Sequence, residues 1–188
     1  MNKYLILVKH SLPEVVESLP AREWRLAAEG RLRAQRLAEC LRPFQPEVIV
    51  SSIEPKAKET AEIIANTYHV EFQIADGLHE HDRSKAPYLS QDKFQEILQE
   101  FFRKPDKLVF GLETADEAYT RFSRAVHTLL DEHTNKTILI VAHGTVISLL
   151  VSRLTGISDL LLWRELGLPS YVVLDLQKRM LITKVNSV

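Results

Sequence analysis

The sequence predicts an α/β fold: three layers, with helices on both faces of a mainly parallel sheet. Two observations predict it. Short, wholly apolar runs such as Tyr4-Leu5-Ile6-Leu7-Val8 and Ile138-Leu139-Ile140-Val141-Ala142 have the length of strands and no polar alternation, the mark of strands buried on both faces. Between such runs lie longer segments whose apolar residues recur every three or four positions. Strands that alternate with helices in this way are built most simply into a parallel sheet.

Taken in order, the first strand runs straight into Lys9-His10-Ser11, and a polar stretch holding Pro13 and Pro20 follows as a loop. From about Trp24 to Leu41 the spacing is helical, with Leu26, Gly30, Ala34, Leu37, Ala38 and Leu41 on one side and most of the Arg and Glu residues on the other. Pro43 and Pro46 end that helix. Val48-Ile49-Val50 is a second strand leading into Ser51-Ser52, and Ile53 to Pro55 is a turn. Lys56 to Tyr68 is a helix with Ala57, Ala61, Ile64 and Ala65 inward, and Phe72 to Ile74 is a third strand. Residues 75–91 are irregular and charged, and include Asp76-Gly77-Leu78-His79-Glu80-His81-Asp82-Arg83. Long loops in compact domains are commonly binding elements.

Residues 92–103 form a helix with Phe94, Ile97, Leu98, Phe101 and Phe102 on its apolar side. Thr114-Ala115-Asp116-Glu117 has the spacing of a capping box, so a helix starts there and runs to about His133. It packs through Ala118, Phe122, Ala125, Val126, Leu129 and Leu130. The Ile138–Ala142 strand is followed at once by His143-Gly144 and a helix from Thr145 to Leu154, with Gly156 as its stop. A short helix over 160–163 and two closing strands, 171–176 and 180–184, complete the chain.

At 188 residues, with no repeat or linker, residues 1–188 are expected to form one domain, with lid elements at about 75–110. A net charge of -1 gives no sign of bulk attraction to nucleic acid or a membrane surface, so any anion site must be built locally. No run approaches the roughly 18 apolar residues of a membrane span. The N-terminal apolar run is too short for a secretory signal and lacks a cleavage site of small residues. Cys40 stands alone and is expected as a small buried hydrophobe in its helix. Together these features fit a cytoplasmic protein.

Two strands end alike, at Val8-Lys9-His10-Ser11 and Val141-Ala142-His143-Gly144. In an open parallel sheet, chemistry sits beyond the carboxyl ends of the strands, so the two imidazoles are expected at one sheet edge. The helix after His143 aims free N–H groups at the same space, which favours an anion. Ser51, Ser52 and Lys56 add hydroxyls and a second cation beside Lys9. Two imidazoles, two ammonium groups and several N–H donors suit a dianionic tetrahedral group, of which phosphate is the commonest. The His79-Glu80-His81-Asp82 cluster has a second reading as metal ligands, but no matching Cys or second His pair supports it.

These motifs resemble those of the histidine phosphatase superfamily, the phosphoglycerate mutase-like proteins. That family opens with a strand ending in Arg-His-Gly, here Lys9-His10-Ser11. Its Ser-Ser-x-x-x-Arg-Ala-x-x-Thr-Ala segment is similar to Ser51-Ser52-Ile53-Glu54-Pro55-Lys56-Ala57-Lys58-Glu59-Thr60-Ala61. Its Leu-x-Glu is similar to Leu78-His79-Glu80, its Val-x-His-Gly to Val141-Ala142-His143-Gly144, and its helix-opening Gly-Arg to Gly30-Arg31.

The resemblance implies a hydrolase of phosphomonoesters, with catalytic His10, Glu80 and His143 and with phosphate held by Lys9, Lys56, Ser11 and Gly144. His10 would form a phosphohistidine. Glu80, with a raised pKa, would protonate the leaving oxygen and then activate water. Neither a cofactor nor a metal is implied. The implied partner is a phosphorylated small molecule, with a phosphoprotein as the second class. Both family arginines are lysines here, which supply charge without a planar fork, so the expected activity is weakened. Ser11 replaces a glycine, Pro13 stands where a hydroxyl is common, and Val16 stands where Asn is common. The alternative is a degraded member that binds a phosphorylated ligand or phosphoprotein without turnover. A mutase is disfavoured, because the chain is short and lacks inserted loops.

Overall fold

The computed structural model describes residues 4–84 and 89–188, so residues 85–88 of the expected 75–91 loop lie outside the described residues. Six strands form one sheet: β1 (Leu5–Lys9), β2 (Val48–Ser51), β3 (Phe72–Ile74), β4 (Ile138–Ala142), β5 (Ser170–Asp175) and β6 (Met180–Val185). Their order is β3-β2-β4-β1-β5-β6. The first four pair in parallel, β5 runs antiparallel to β1, and β6 runs antiparallel to β5. The helices are α1 (Ala28–Leu41), α2 (Pro55–Tyr68), α3 (Gln91–Arg103), α4 (Ala115–Glu132), α5 (Gly144–Thr155) and α6 (Asp159–Glu165).

Successive side chains of a strand point to opposite faces, and both faces here are covered by helices. Leu5, Leu7, Val50, Ile138 and Ile140 join one core with Leu98 and Phe101 of α3, Phe122 and Val126 of α4, Leu150 of α5 and Leu162 of α6. Ile6, Val8, Ile49, Leu139 and Val141 join the other with Leu37 and Leu41 of α1 and Ala57, Ala61 and Ile64 of α2. This double burial explains why the strand sequences show no polar alternation. The capping box forms as expected: Glu117 N–H donates to Thr114 Oγ1 (3.1 Å) and Thr114 N–H to Glu117 Oε2 (2.7 Å). Helix α5 stops at Gly156, whose φ of 77° is in the left-handed region. Among the described residues no helix is long and apolar enough to cross a membrane.

Two expectations are corrected. Helix α1 starts at Ala28 rather than near Trp24, because segment 24–27 pairs with the loop after β1 instead. Glu14 N–H donates to Arg25 O (2.9 Å), Ala27 N–H to Leu12 O (3.1 Å) and the Trp24 indole N–H to Val16 O (2.9 Å). That loop can lie against α1 only because residue 30 is glycine, since a Cβ there would sit 2.0 Å from Leu12 O. Cys40 is exposed rather than buried. Ala34, Leu37, Ala38 and Leu41 fill the inward stripe. Cys40, two positions past Ala38, is turned roughly 200° away from it.

Candidate active site

Sheet register brings the two histidines together. β1 and β4 are neighbours with Lys9 opposite Ala142, so the next residues, His10 and His143, leave the sheet side by side. His10 N–H continues the ladder to Ala142 O (3.0 Å), and the ring centroids are 5.1 Å apart at 61°. β2 flanks β4 on its other side, and Ser52 N–H bonds Val141 O (2.9 Å). The Ser52 hydroxyl lies 2.9 Å from His143 Nε2. Three strand ends therefore meet at one sheet edge, with His10 and His143 buried.

The tautomer of His10 follows from its partner. Nδ1 lies 2.8 Å from Ser11 O, and a carbonyl only accepts, so Nδ1 carries the proton and Nε2 keeps the lone pair. Burial, then His143, Lys56 and Lys9, hold the His10 pKa well below the usual imidazole range. Burial and the Lys56 charge do the same for His143. The site thus presents a neutral imidazole with an available ring nitrogen, beside a second neutral imidazole.

The cations expected here surround these rings, but each already has partners. Lys9 Nζ donates to Leu166 O (2.6 Å). Burial lowers its pKa to about 8, against the attraction of Glu80. The Lys9 side chain crosses the start of α5, where a Cβ on Gly144 would come within 3.1 Å of Lys9 Cε. Gly144 therefore makes room for the lysine. Lys56 Nζ donates to Ala21 O (2.7 Å) and forms a buried ion pair with Glu54. Ser11, expected to help hold phosphate, donates its hydroxyl to Gly30 O (2.6 Å) and its N–H to Thr60 Oγ1 (3.0 Å), so both groups brace the loop.

Glu80 closes the site from the 75–84 loop. Its Oε2 accepts from Thr145 N–H (3.2 Å) at the start of α5, and its Oε1 from His81 N–H (2.9 Å). Burial pushes this carboxyl up, but Arg83, His143 and the two N–H bonds outweigh it and leave its pKa below the ordinary range. Arg121 fixes the loop by donating to Gly77 O (2.8 Å) and His79 O (2.9 Å). His81 turns away from the site, packing on Phe101 (4.4 Å between centroids) and Phe110 (4.7 Å). Asp82 Oδ1 accepts from Ser84 N–H (2.9 Å). Among the described residues, no three His, Cys, Asp or Glu side chains converge as metal ligands.

Three participants were not assigned from the sequence. Glu54, read there as part of a turn, is buried in the pocket between Lys56 and His143. Arg83 lies over the Phe94 ring (4.6 Å to its centroid) and acts electrostatically on Glu80 and His143. Arg121 holds the loop. A glutamate just before Pro55 at a helix start reads as a solvated capping residue, so only tertiary packing shows that it is buried.

A family model described as the histidine phosphatase superfamily (branch 1) matches residues 6–186. The uncharacterized phosphatase PhoE of Bacillus subtilis is 30% identical over 131 residues, covering 70% of this chain and 65% of that relative. The chain thus spans less than two thirds of that relative's length. Among solved structures, a phosphoserine phosphatase mutant from Entamoeba histolytica in complex with phosphoserine superposes with a TM-score of 0.77. It is 18% identical, covering 96% of this chain and 95% of the other. A mycobacterial glucosyl-3-phosphoglycerate phosphatase superposes with a TM-score of 0.75 at 19% identity, covering 91% and 89%. These two likenesses extend the shared fold over nearly the whole chain.

Proposed function

Since the chain belongs to the histidine phosphatase superfamily, we propose that it hydrolyses phosphomonoesters of small molecules through a phosphohistidine on His10. The observation that carries this reading is the state of His10: neutral, proton on Nδ1, lone pair on Nε2, 5.1 Å from His143 between ring centroids. That is the nucleophile required for in-line attack. The Nε2 lone pair forms the N–P bond as the ester P–O bond breaks, and the leaving oxygen takes a proton from Glu80. Water then attacks phosphorus, gives its proton to Glu80 and releases phosphate as the N–P bond breaks. The negative charge of the bound phosphoryl group raises the Glu80 pKa from its low unliganded value, so the carboxyl carries its proton when the substrate is present. Lys9, Lys56 and the α5 N–H groups offset charge on the phosphoryl oxygens. Without the bidentate fork of arginine, that stabilisation is weaker.

One observation favours a second reading. Lys56 is already neutralised by Glu54, as in a protein that binds a phosphorylated ligand loosely without turnover. Hydrolysis of an aryl phosphate by the wild type and by His10→Ala separates the two. The phosphatase reading expects turnover in the wild type that is lost in the variant. Phosphate or vanadate binding with no turnover in either protein supports the binder. Turnover unchanged in His10→Ala contradicts the proposed mechanism.

A further inference from the structure

Glu54 is a buried ionisable group for which the mechanism above has no use. It precedes the first turn of α2 and its side chain is 7% exposed. Both carboxyl oxygens accept. Oε1 takes the N–H of Glu80 (2.9 Å) and stands 3.4 Å from His143 Nε2, while Oε2 takes the Lys56 ammonium. A carboxyl that accepts at both oxygens, one of them from an ammonium, is a carboxylate. Of the groups it engages, Lys56 is one of those assigned above to the phosphoryl oxygens, and His143 stands beside the nucleophile. One donor set cannot serve the carboxylate and a phosphate dianion at the same distances, and the two anions repel at contact.

We infer that Glu54 is an intramolecular anion occupying part of the phosphoryl-oxygen site, and that it sets how tightly the protein holds phosphate. This rests on the phosphatase reading of the same pocket. A phosphoryl group enters by drawing Lys56 away from Glu54, and on release of inorganic phosphate the carboxylate recovers its lysine. Substrate affinity and product affinity are lowered together, while the histidine chemistry is left alone. Glu54 therefore discriminates between anions: it weakens any small phosphoryl group whose binding rests on Lys56. It favours substrates that gain their affinity elsewhere, through parts of the molecule beyond the phosphate.

The test compares the wild type with Glu54→Gln, which keeps the shape and one acceptor and removes the charge. In Glu54→Gln, the inhibition constants of inorganic phosphate and vanadate and the KM of an aryl phosphate should fall together, by about tenfold, the low end of what one like charge at contact does. Lys56→Ala should weaken all three. Loss of its counter-charge destabilises Glu54→Gln, because a buried ammonium is left unpaired. Saturating phosphate should therefore raise its Tm by more than it raises that of the wild type. Equal or weaker phosphate binding in Glu54→Gln overturns the inference. If neither protein binds phosphate or vanadate, or if Lys56→Ala binds as tightly as the wild type, the reading of the pocket fails and the inference falls with it. A vanadate-soaked crystal of the wild-type protein gives an answer independent of any variant's folding. Glu54 displaced from Lys56 supports the inference, and vanadate bound beside an undisturbed Glu54–Lys56 pair overturns it.

Discussion

His10, Ser52 and His143 stand on strand ends, whereas Glu54 and Glu80 stand on a turn and a loop. The first group is placed by the backbone ladder of a parallel sheet, and one residue of register fixes all three positions. The second group is placed by side-chain bonds that cross the fold: Glu80 to the start of α5, Glu54 to Lys56, and Arg121 to the carbonyls of Gly77 and His79. The difference teaches where robustness and tuning lie. The imidazole floor follows from strand packing alone, while the charge of its acidic rim depends on contacts that a single substitution can remove.

Four substitutions break or sharpen that contrast. Glu80→Gln acts on the rim and should slow hydrolysis of an alkyl phosphate by about 10²-fold, since its leaving oxygen needs a proton. An aryl phosphate with an acidic leaving group should be affected far less. Equal losses on both substrates, measured as kcat/KM, would remove Glu80 from the proton-transfer role. Gly30→Ala acts on the floor through the loop after β1. Its Cβ meets Leu12 O at 2.0 Å, so the loop must shift, at a cost of about 2 kcal/mol in denaturant unfolding. A change under about 0.5 kcal/mol would show that the loop packing is soft.

Lys9 supplies a pH signature. With its folded pKa lowered to about 8, its charge is lost as pH rises through 8. Phosphate affinity should therefore fall above pH 8, by up to about tenfold per unit. Lys9→Arg should hold its affinity across that range, because a guanidinium stays charged. Stability moves the other way. Between about 8 and the ordinary lysine value of 10.5, the unfolded chain binds a proton that the folded chain does not, so this group makes stability rise with pH in that window. Parallel alkaline losses in the wild type and Lys9→Arg would assign the limb to another group. The smallest effect is expected at Thr114→Ala, which removes half of the capping box of α4. It should cost about 1 kcal/mol and leave turnover unchanged.

The same contrast governs what could be read from the sequence. Strands buried on both faces, the capping box and the Gly156 stop were legible because local pattern and final packing agree. The approach of His10 and His143 was legible because both follow apolar runs of strand length, and parallel strands of one sheet end at one edge. Trp24 and Leu26 fit a helix, yet their segment finds better partners in residues 12–16, so α1 starts later than its spacing predicts. Residue type predicts a buried Cys40, but its position beside the inward stripe turns it outward. Ser11 was named for its place after His10, and the sequence carries no sign that Gly30 O and Thr60 engage its hydroxyl and N–H. Glu54 and Arg83 are not legible for one reason: a single charge in a turn or loop carries no periodic signal, and what it faces is decided by distant segments.

The central claim is that His10 Nε2 takes the phosphoryl group. Rapid alkaline quench of the enzyme during turnover of a radiolabelled phosphomonoester tests it most directly. The account predicts base-stable, acid-labile label on His10, formed and lost fast enough to carry the observed kcat, and absent in His10→Ala. Turnover without any such label, or label of equal amount in His10→Ala, would contradict it.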